Sequence, residues 1–208
     1  MEFYEVIEKR RTIRDFTGEP VGRETIQRIL DAGLKAPTND HMRDWHFAVI
    51  DDPALIQNLI KKIPKKVSEK RVDFIMKVWR LQDECQKKMY ADAIPKQYQM
   101  LLNAGCLVIP LFKQKKNLLQ PKNLSDLNGF ASIWCCIENI FLAATAEGCG
   151  CTLRIPLGDE KDHVKRILDF PGDYEMPCYI AIGKPAKDGA YYEQNICDVQ
   201  ERIHLNKW

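Results

Sequence analysis

The sequence lacks a strong excess of either charge. Its 31 lysines and arginines nearly balance its 29 aspartates and glutamates, which leaves a formal net charge of +2 over 208 residues. A chain with so little net charge produces no broad field that would attract nucleic acid or an anionic membrane. We therefore expect neither partner, and any recognition of an anion must come from a local group of basic side chains.

The sequence also lacks the long apolar segments that mark export or membrane insertion. No run approaches the roughly 20 apolar residues that a membrane-spanning helix needs. The acidic start, Met1-Glu2-Phe3-Tyr4-Glu5, has no signal-peptide core, so a cytoplasmic protein is expected. No linker rich in proline, glycine or serine divides the chain, and a single domain over residues 1–208 is the simplest organisation.

The signatures of several enzyme classes are missing. No Ser/His/Asp or Cys/His arrangement indicates a catalytic nucleophile. No glycine fingerprint of a dinucleotide-binding fold is present to distinguish NADH from NADPH. The eight cysteines are expected to be reduced. Cys149-Gly150-Cys151 has no second Cys/His pair at metal-ligand spacing, which favours small packing residues over a metal site.

Strands and helices are predicted from the spacing of apolar residues. Runs of apolar residues, many of them aromatic or β-branched, predict strands at 45–50, 106–112 and 178–183. A further short extended segment is predicted at 152–158. Helical spacing marks 2–10, 23–36, 54–63, 127–147 and the segment from 159 to 170. The apolar stripe of 127–147 is so broad that this helix should be buried at the domain centre or in a dimer interface.

Two regions give weaker patterns. Residues 64–100 alternate charged and apolar groups, which predicts one or two half-exposed helices. The basic stretch 61–90 is either a solvated helical face or a lid that selects a ligand. The tail 184–208 is polar with little periodicity, and we expect it to wrap over another surface.

The first candidate site is the run Arg10-Arg11-Thr12-Ile13-Arg14 at the end of the first predicted helix. Three guanidinium groups and a hydroxyl within five residues can hold a phosphate through charge-assisted hydrogen bonds. For the arginine pair alone, a solvated basic patch would be the more common explanation. The motif at 36–47, which begins Ala36-Pro37-Thr38-Asn39, shifts the interpretation towards a phosphate-bearing ligand.

The order of these motifs resembles that of the FMN-dependent nitroreductase family. The resemblance rests on 10–14, on Ala36-Pro37-Thr38 followed by the strand Trp45-His46-Phe47, on the helix ending at 148–150, and on 178–185. It implies an α+β fold in which a mainly antiparallel central sheet is flanked by helices. It also implies an intertwined homodimer with the flavin at the subunit interface.

The resemblance further divides the single domain into conserved and variable parts. It implies that residues 64–125 form a variable helical or lid-like insertion. It implies that residues 184–208 form a C-terminal extension that wraps the partner subunit.

Cofactor-binding residues follow from the resemblance as well. Arg10, Thr12 and Arg14 match a motif that clamps the flavin phosphate, with Arg11 nearby. Pro37, Thr38 and Asn39 match the loop at the flavin edge. The backbone segment over the flavin ring would be Leu153, Arg154, Ile155 and Pro156.

The sequence departs from the family pattern around this loop. His41, Arg43 and Asp44 stand where the family has Asn, Gln and Pro, so the polar edge of the site is more basic and bulkier. His41 is either a cofactor contact or a structural residue. Arg43 either pairs with Asp44 or faces solvent.

A second departure lies near the C-terminus. Many family members have a further phosphate-binding arginine there, but this chain has Ile196 or Cys197 at the corresponding position. That contact is therefore missing, or it comes from Lys184 or Lys187.

The implied activity is that of an FMN-dependent NAD(P)H oxidoreductase. In such an enzyme the flavin N5 accepts a hydride from NADH or NADPH, and two electrons then pass to a nitroaromatic, a quinone or a similar small-molecule acceptor. The chemistry is carried by FMN, so no catalytic side chain is assigned. Two alternatives stay open: a flavin-binding protein of the same fold with little reductase turnover, and a relative that catalyses another flavin-dependent reduction.

Overall fold

The computed structural model describes residues 1–192 and 196–208, which form an α+β fold around one sheet. The strands are β1 (Trp45–Ile50), β2 (Cys106–Lys113), β3 (Gly150–Arg154), β4 (Tyr174–Glu175) and β5 (Tyr179–Gly183). Their order in the sheet is β1-β2-β5-β3, and the short β4 pairs with the end of β2. Every strand pair is antiparallel, which confirms the predicted fold class.

Helices cover both faces of the sheet. They are α1 (Phe3–Lys9), α2 (Arg23–Leu34), α3 (Pro53–Leu59), α4 (Glu69–Val78), α5 (Glu84–Ala93), α6 (Gln99–Leu102), α7 (Asn128–Ala146) and α8 (Glu160–Leu168). The predicted helices agree with these bounds to within a few residues. In the region 64–125 the helical part ends at Leu102, because β2 follows it as a central strand of the sheet.

The two faces of β2 belong to two separate parts of the core. Leu107 and Ile109 pack with side chains of α3, α6 and α8. Cys106 and Val108 point to the opposite face and pack against α2 and α7. Successive side chains of a strand alternate between faces, so a strand covered on both sides needs apolar residues at nearly every position. That requirement explains the continuous apolar run of this segment.

Helix α7 is the longest element and packs closely against α2. A Cβ atom added to Gly33 of α2 would lie 2.7 Å from Cγ1 of Ile140 on α7, so the Ile140 side chain occupies the space that a larger residue would need. The helix ends where Gly148 adopts a positive φ of 73°, a conformation that glycine reaches without steric cost. This is the end that the sequence predicts.

The segment Leu124–Ala146, which includes α7, meets the length and hydropathy criteria for a membrane span. Its sequence contains no uninterrupted apolar run of that length. Ile133, Ile137 and Ile140 of α7 are buried against the sheet, as in a core helix. In the 18-residue window that meets the hydropathy criterion, 33% of the residues are buried within the chain, and most of the other residues of α7 are half-buried.

Candidate functional site

The arginine segment is fixed to the edge of the sheet beside β3. Thr12 forms a parallel bridge with Cys151, and the Ile13 amide donates to the Cys151 carbonyl oxygen at 2.9 Å. Gly150 permits this approach, because a Cβ atom there would lie 2.8 Å from Cβ of Ile13. The backbone that carries the arginines is therefore held by strand-like contacts rather than left as a free loop.

The predicted phosphate-binding residues line one common cavity of 540 Å³. Its walls are Arg10, Arg11, Thr12, Arg14, Asp83, Cys85, Gln86, Met89, Tyr191 and Tyr192. The structure thus brings together all four residues that the sequence assigned to the anion site. It adds the start of α5 and the two tyrosines, which belong to no motif and were not predicted.

Arg10 and Arg11 are held differently within this cavity. Arg10 Nε lies 3.7 Å from a carboxylate oxygen of Glu138 on α7. Arg11 Nη1 donates to the carbonyl oxygens of Glu8 and, at 2.8 Å, Arg10. Arg11 Nε is buried without a hydrogen-bond partner, although its guanidinium lies 5.7 Å from the ring centroid of Tyr191. An unsatisfied buried donor of this kind favours an anionic partner.

Arg14 occupies the most informative position, because it lines this cavity and a second one of 770 Å³. Burial lowers the pKa of its guanidinium, while the Asp92 carboxylate opposes that shift. Within residues 1–192 and 196–208, Arg14 makes no ion pair. A partly dehydrated cation without a direct counter-ion is well suited to bind a phosphate.

The second cavity is mostly apolar and includes the segment predicted to lie over the flavin. Leu153, Arg154 and Ile155 line it, whereas the predicted Pro156 does not. The other walls come from 63–68, from α4 and α5, and from Gln97. The basic stretch 61–90 therefore forms a wall of this cavity, as a lid would.

Arg154, one of the residues predicted to lie over the flavin ring, is neutralised by a neighbouring carboxylate. Its Nη2 atom donates to Oε1 of Glu160 at 2.6 Å, and its Nη1 atom donates to the Ile155 carbonyl oxygen at 3.0 Å. Burial raises the pKa of Glu160, and hydrogen bonds from the Leu157 amide and Arg154 counteract this effect. Arg154 Nε and the hydroxyl of Tyr179 are nevertheless buried without partners.

The predicted flavin-edge loop lies elsewhere on the chain. Pro37, Thr38 and Asn39 line a cavity of 300 Å³ together with residues of α7, and this cavity shares no residue with the arginine cavity. The Asn39 amide donates to Ser132 Oγ at 3.0 Å, and Asn128 Nδ2 donates to Asn39 Oδ1 at 3.2 Å. Within one chain, the two motifs are therefore not brought into one site.

The loop has an unusual backbone that includes two of its three departures from the family pattern, His41 and Arg43. Asp40, His41 and Arg43 have φ values of 52°, 52° and 50°. Left-handed conformations cost free energy for residues other than glycine and persist where surrounding structure enforces them. His41 and Arg43 are exposed, and the described residues contain no ion pair between Arg43 and Asp44.

Lys184 and Lys187 were the predicted replacements for the missing C-terminal arginine. In the described structure, neither lines the arginine cavity. Lys184 pairs with Glu19 at 2.5 Å on the surface. Lys187 does not line the cavity, and Ile196 and Cys197 are exposed. The C-terminal residues that do line it are Tyr191 and Tyr192, which carry no positive charge.

A search of the described residues finds no group of three or more His, Cys, Asp or Glu side chains that could hold a metal ion. The described residues contain no disulfide bond. Burial raises the pKa of the Cys151 thiol to about 12, which keeps it protonated and unreactive near neutral pH.

The charge and the apolar lining of these two cavities fit FMN. The phosphate would meet Arg10, Arg11, Thr12 and Arg14, where a buried guanidinium nitrogen already lacks a partner. The ring would meet the adjoining apolar cavity, which Arg14 joins to the anion site. An antiparallel sheet with such a site beside its edge strand is typical of a class of α+β flavoproteins.

The chain belongs to the nitroreductase family, whose model matches residues 7–184. Rat (Rattus norvegicus) iodotyrosine deiodinase 1 is 28% identical over 184 residues, which are 83% of this chain and 62% of that protein. The NADPH-dependent oxidoreductase of Staphylococcus haemolyticus is 26% identical over 197 residues, covering 89% of this chain and 65% of the relative. The chain thus spans less than two thirds of the length of these curated relatives.

A solved structure supports the fold independently. Oxidised iodotyrosine deiodinase bound to FMN and 3-iodo-L-tyrosine superimposes with a TM-score of 0.72 and 16% sequence identity, and the match covers 100% of both chains. At that identity the likeness concerns the fold. Together with the family match, it supports a nitroreductase-family flavoprotein.

Proposed function

We propose that this protein is an FMN-dependent oxidoreductase that takes electrons from NADH or NADPH and reduces nitroaromatics, quinones or similar small acceptors. The observation that carries the proposal is the position of Arg14, which joins an arginine-lined cavity to an apolar one. When bound, FMN supplies reversible two-electron chemistry. The name of the Staphylococcus haemolyticus relative supports a nicotinamide donor.

The chain's own residues bind and orient the cofactor. Arg10, Arg11 and Arg14 supply the positive charge for the phosphate, and Thr12 supplies a hydroxyl in the same cavity. The segment 153–156 would cover part of the ring and limit access of water. The Arg154–Glu160 ion pair keeps this segment in place, because it joins the end of β3 to the start of α8.

The site is proposed to be completed by a second copy of the chain. Ser132 of α7 contacts the flavin-edge loop, whereas Glu138 of the same helix lies beside Arg10. Six residues of helix separate them, a rise of about 9 Å. Antiparallel packing of two α7 helices around a two-fold axis would bring Pro37–Asn39 of one protomer beside the arginine segment of its partner.

The exposed tail supports the same arrangement. Ile196 is 99% exposed, and Leu205 and Trp208 are also exposed. Apolar side chains of this size gain free energy when a second surface covers them. We propose that residues 184–208 wrap the partner subunit, and that the dimer is cytoplasmic.

The test is an absorbance spectrum of the purified protein. We expect a bound-flavin band that NADH or NADPH bleaches without oxygen, and that returns when a nitroaromatic or a quinone is added. A protein that retains no added FMN would refute the assignment of the cofactor. Bound flavin that neither nucleotide reduces would instead indicate the alternative of a flavin-binding protein with little turnover.

A second candidate is reductive dehalogenation. It is favoured by the names of two similar proteins, the rat relative and the superimposed structure. Comparing 3-iodo-L-tyrosine with a nitroaromatic as acceptor, at equal concentrations of reduced protein, distinguishes the two activities. Release of iodide faster than nitro reduction would favour the second candidate.

A further inference from the structure

The 770 Å³ cavity has a charge pattern that bears on its ligand. Four cationic side chains line it: Arg14, Lys66, Arg71 and Arg154. No aspartate or glutamate is among its described lining residues. Acidic and basic residues are almost equal in number over the whole chain, so this excess of positive charge is local.

Two of the four cations are already accounted for. Arg14 is assigned to the cofactor phosphate, and Arg154 is paired with Glu160. Lys66 and Arg71 remain, and neither forms an ion pair with the residues that the structure describes. Arg154 also leaves its buried Nε without a partner at this cavity. The cavity therefore offers cationic donors that no carboxylate of the described residues neutralises.

The cavity is graded from an apolar interior to a basic rim. Ile63 and Ile94 are buried, whereas Lys66 and Arg71 are exposed. Trp79, directly after α4, and Tyr90 of α5 also line the cavity and form an edge-to-face pair with centroids 5.2 Å apart. Aromatic walls of this kind favour a planar aromatic ligand, since ring pairs gain energy beyond the burial of their area.

We propose that the acceptor is an aromatic acid whose carboxylate binds Lys66 and Arg71 while its ring lies against the apolar interior. This inference rests on the proposed function and names the substrate class of the same site. The anion remains at the rim, where it keeps part of its hydration. The described lining residues include no aspartate or glutamate. A zwitterionic amino acid is therefore disfavoured, because the ammonium group of such a ligand would find no counter-ion among them.

The test compares the binding of a charged ligand with that of an uncharged ligand of the same shape. Para-nitrobenzoate and para-nitrobenzamide differ in charge at one group, and calorimetry gives their Kd values for the oxidised, FMN-loaded protein. We expect the acid to bind about tenfold more tightly, because two exposed cations each contribute a modest, salt-sensitive attraction. Para-nitrophenylalanine should bind more weakly than para-nitrophenylpropionate.

Variants locate the effect. Arg71→Gln and Lys66→Ala should each reduce the preference for the acid several-fold, and the double variant should abolish it. Lys70→Ala is the matched control, since Lys70 lies next to Arg71 on α4 but does not line the cavity. An equal loss in the Lys70 variant, or no preference in the original protein, would overturn the proposal.

A separate measurement distinguishes the acceptor from the phosphate groups of the nucleotide donor. If Arg71→Gln raises the KM for NADPH and leaves the preference for the acid unchanged, the cations serve the donor and the proposal is wrong. If the acid preference behaves as expected but neither nucleotide reduces the flavin, the reductase proposal fails while the anionic ligand class stands.

Discussion

Arg154 Nη2 lies 2.6 Å from Glu160 Oε1, and the two side chains are only 7% and 6% exposed. The second carboxylate oxygen of Glu160 accepts from the Leu157 amide at 3.1 Å. One acidic side chain therefore fixes both the end of β3 and the turn that leads into α8. This turn carries Ile155 and Leu157 to the wall of the larger cavity.

Glu160→Ala is expected to destabilise the fold by about 3–5 kcal/mol, because it leaves the Arg154 charge buried without its partner. Urea unfolding followed by circular dichroism measures the loss. The double variant Arg154→Met/Glu160→Leu should lose much less, since it removes both charges and keeps apolar volume. A double variant as unstable as the single one would contradict this interpretation of the pair.

Arg14→Ala and Arg10→Ala are expected to weaken FMN retention by about 10- to 100-fold in Kd, the effect of losing about 1.5–3 kcal/mol of charge-assisted hydrogen bonding. Fluorescence titration of the apoprotein with FMN gives the values. Arg23→Ala is the control, because Arg23 is exposed at the start of α2 and lies outside the cavity. Unchanged affinity in the Arg10 and Arg14 variants would remove the phosphate assignment.

Gly150→Ala is expected to destabilise the protein by about 1–3 kcal/mol through overpacking and to reduce FMN retention. The added Cβ would meet Ile13 at 2.8 Å and push the arginine segment away from β3. Thermal unfolding and flavin content measure the two effects. Gly172→Ala should change neither, since nothing lies within 4 Å of a Cβ at that position.

Asp15 supplies a pH-dependent contribution to stability. Burial raises its pKa, but hydrogen bonds from Lys96 and the Ala190 amide outweigh burial and lower the pKa below the ordinary 3.8. A lowered folded-state pKa stabilises the fold above the unfolded-state pKa, and this contribution disappears as the pH falls through the folded value.

Asp15→Asn should therefore cost about 1–2 kcal/mol at neutral pH and almost nothing in strong acid. Urea unfolding across the acid range tests this, with Asp188→Asn as an exposed control. The contact also holds the C-terminal segment, because Ala190 N lies 3.0 Å from the carboxylate. A loss of stability that does not vary with pH would show that packing, rather than charge, explains the effect.

Several elements could be predicted because their signals are local. The apolar runs at 45–50 and 178–183 predict strands, and the stripe of 127–147 predicts the long helix α7. Gly148 predicts the end of that helix through its conformational freedom. Residues 64–100 gave a weaker pattern, because helices that line a cavity mix exposed charge with partial burial.

The sites could be predicted only where they lie in one stretch of sequence. The arginine segment was predicted from its composition together with the motif at 36–47. Tyr191, Tyr192 and the start of α5 were missed, since they reach the same cavity from distant parts of the chain without a shared motif. The partner of Arg154 was also missed, although Glu160 lies only six residues away.

By itself, the sequence determined the main helices and strands and the local cluster of basic side chains at 10–14, because periodicity and local charge depend on neighbouring residues. The antiparallel α+β class followed from the resemblance of its motifs to those of the nitroreductase family. Only the tertiary structure decided which of these charges are available. It neutralises Arg154 with a buried carboxylate and leaves Arg14 between two cavities without an ion pair among the described residues. It also separates the loop at 37–39 from the arginines within one chain. Such pairings depend on how distant segments pack, and the linear order of residues does not specify them directly.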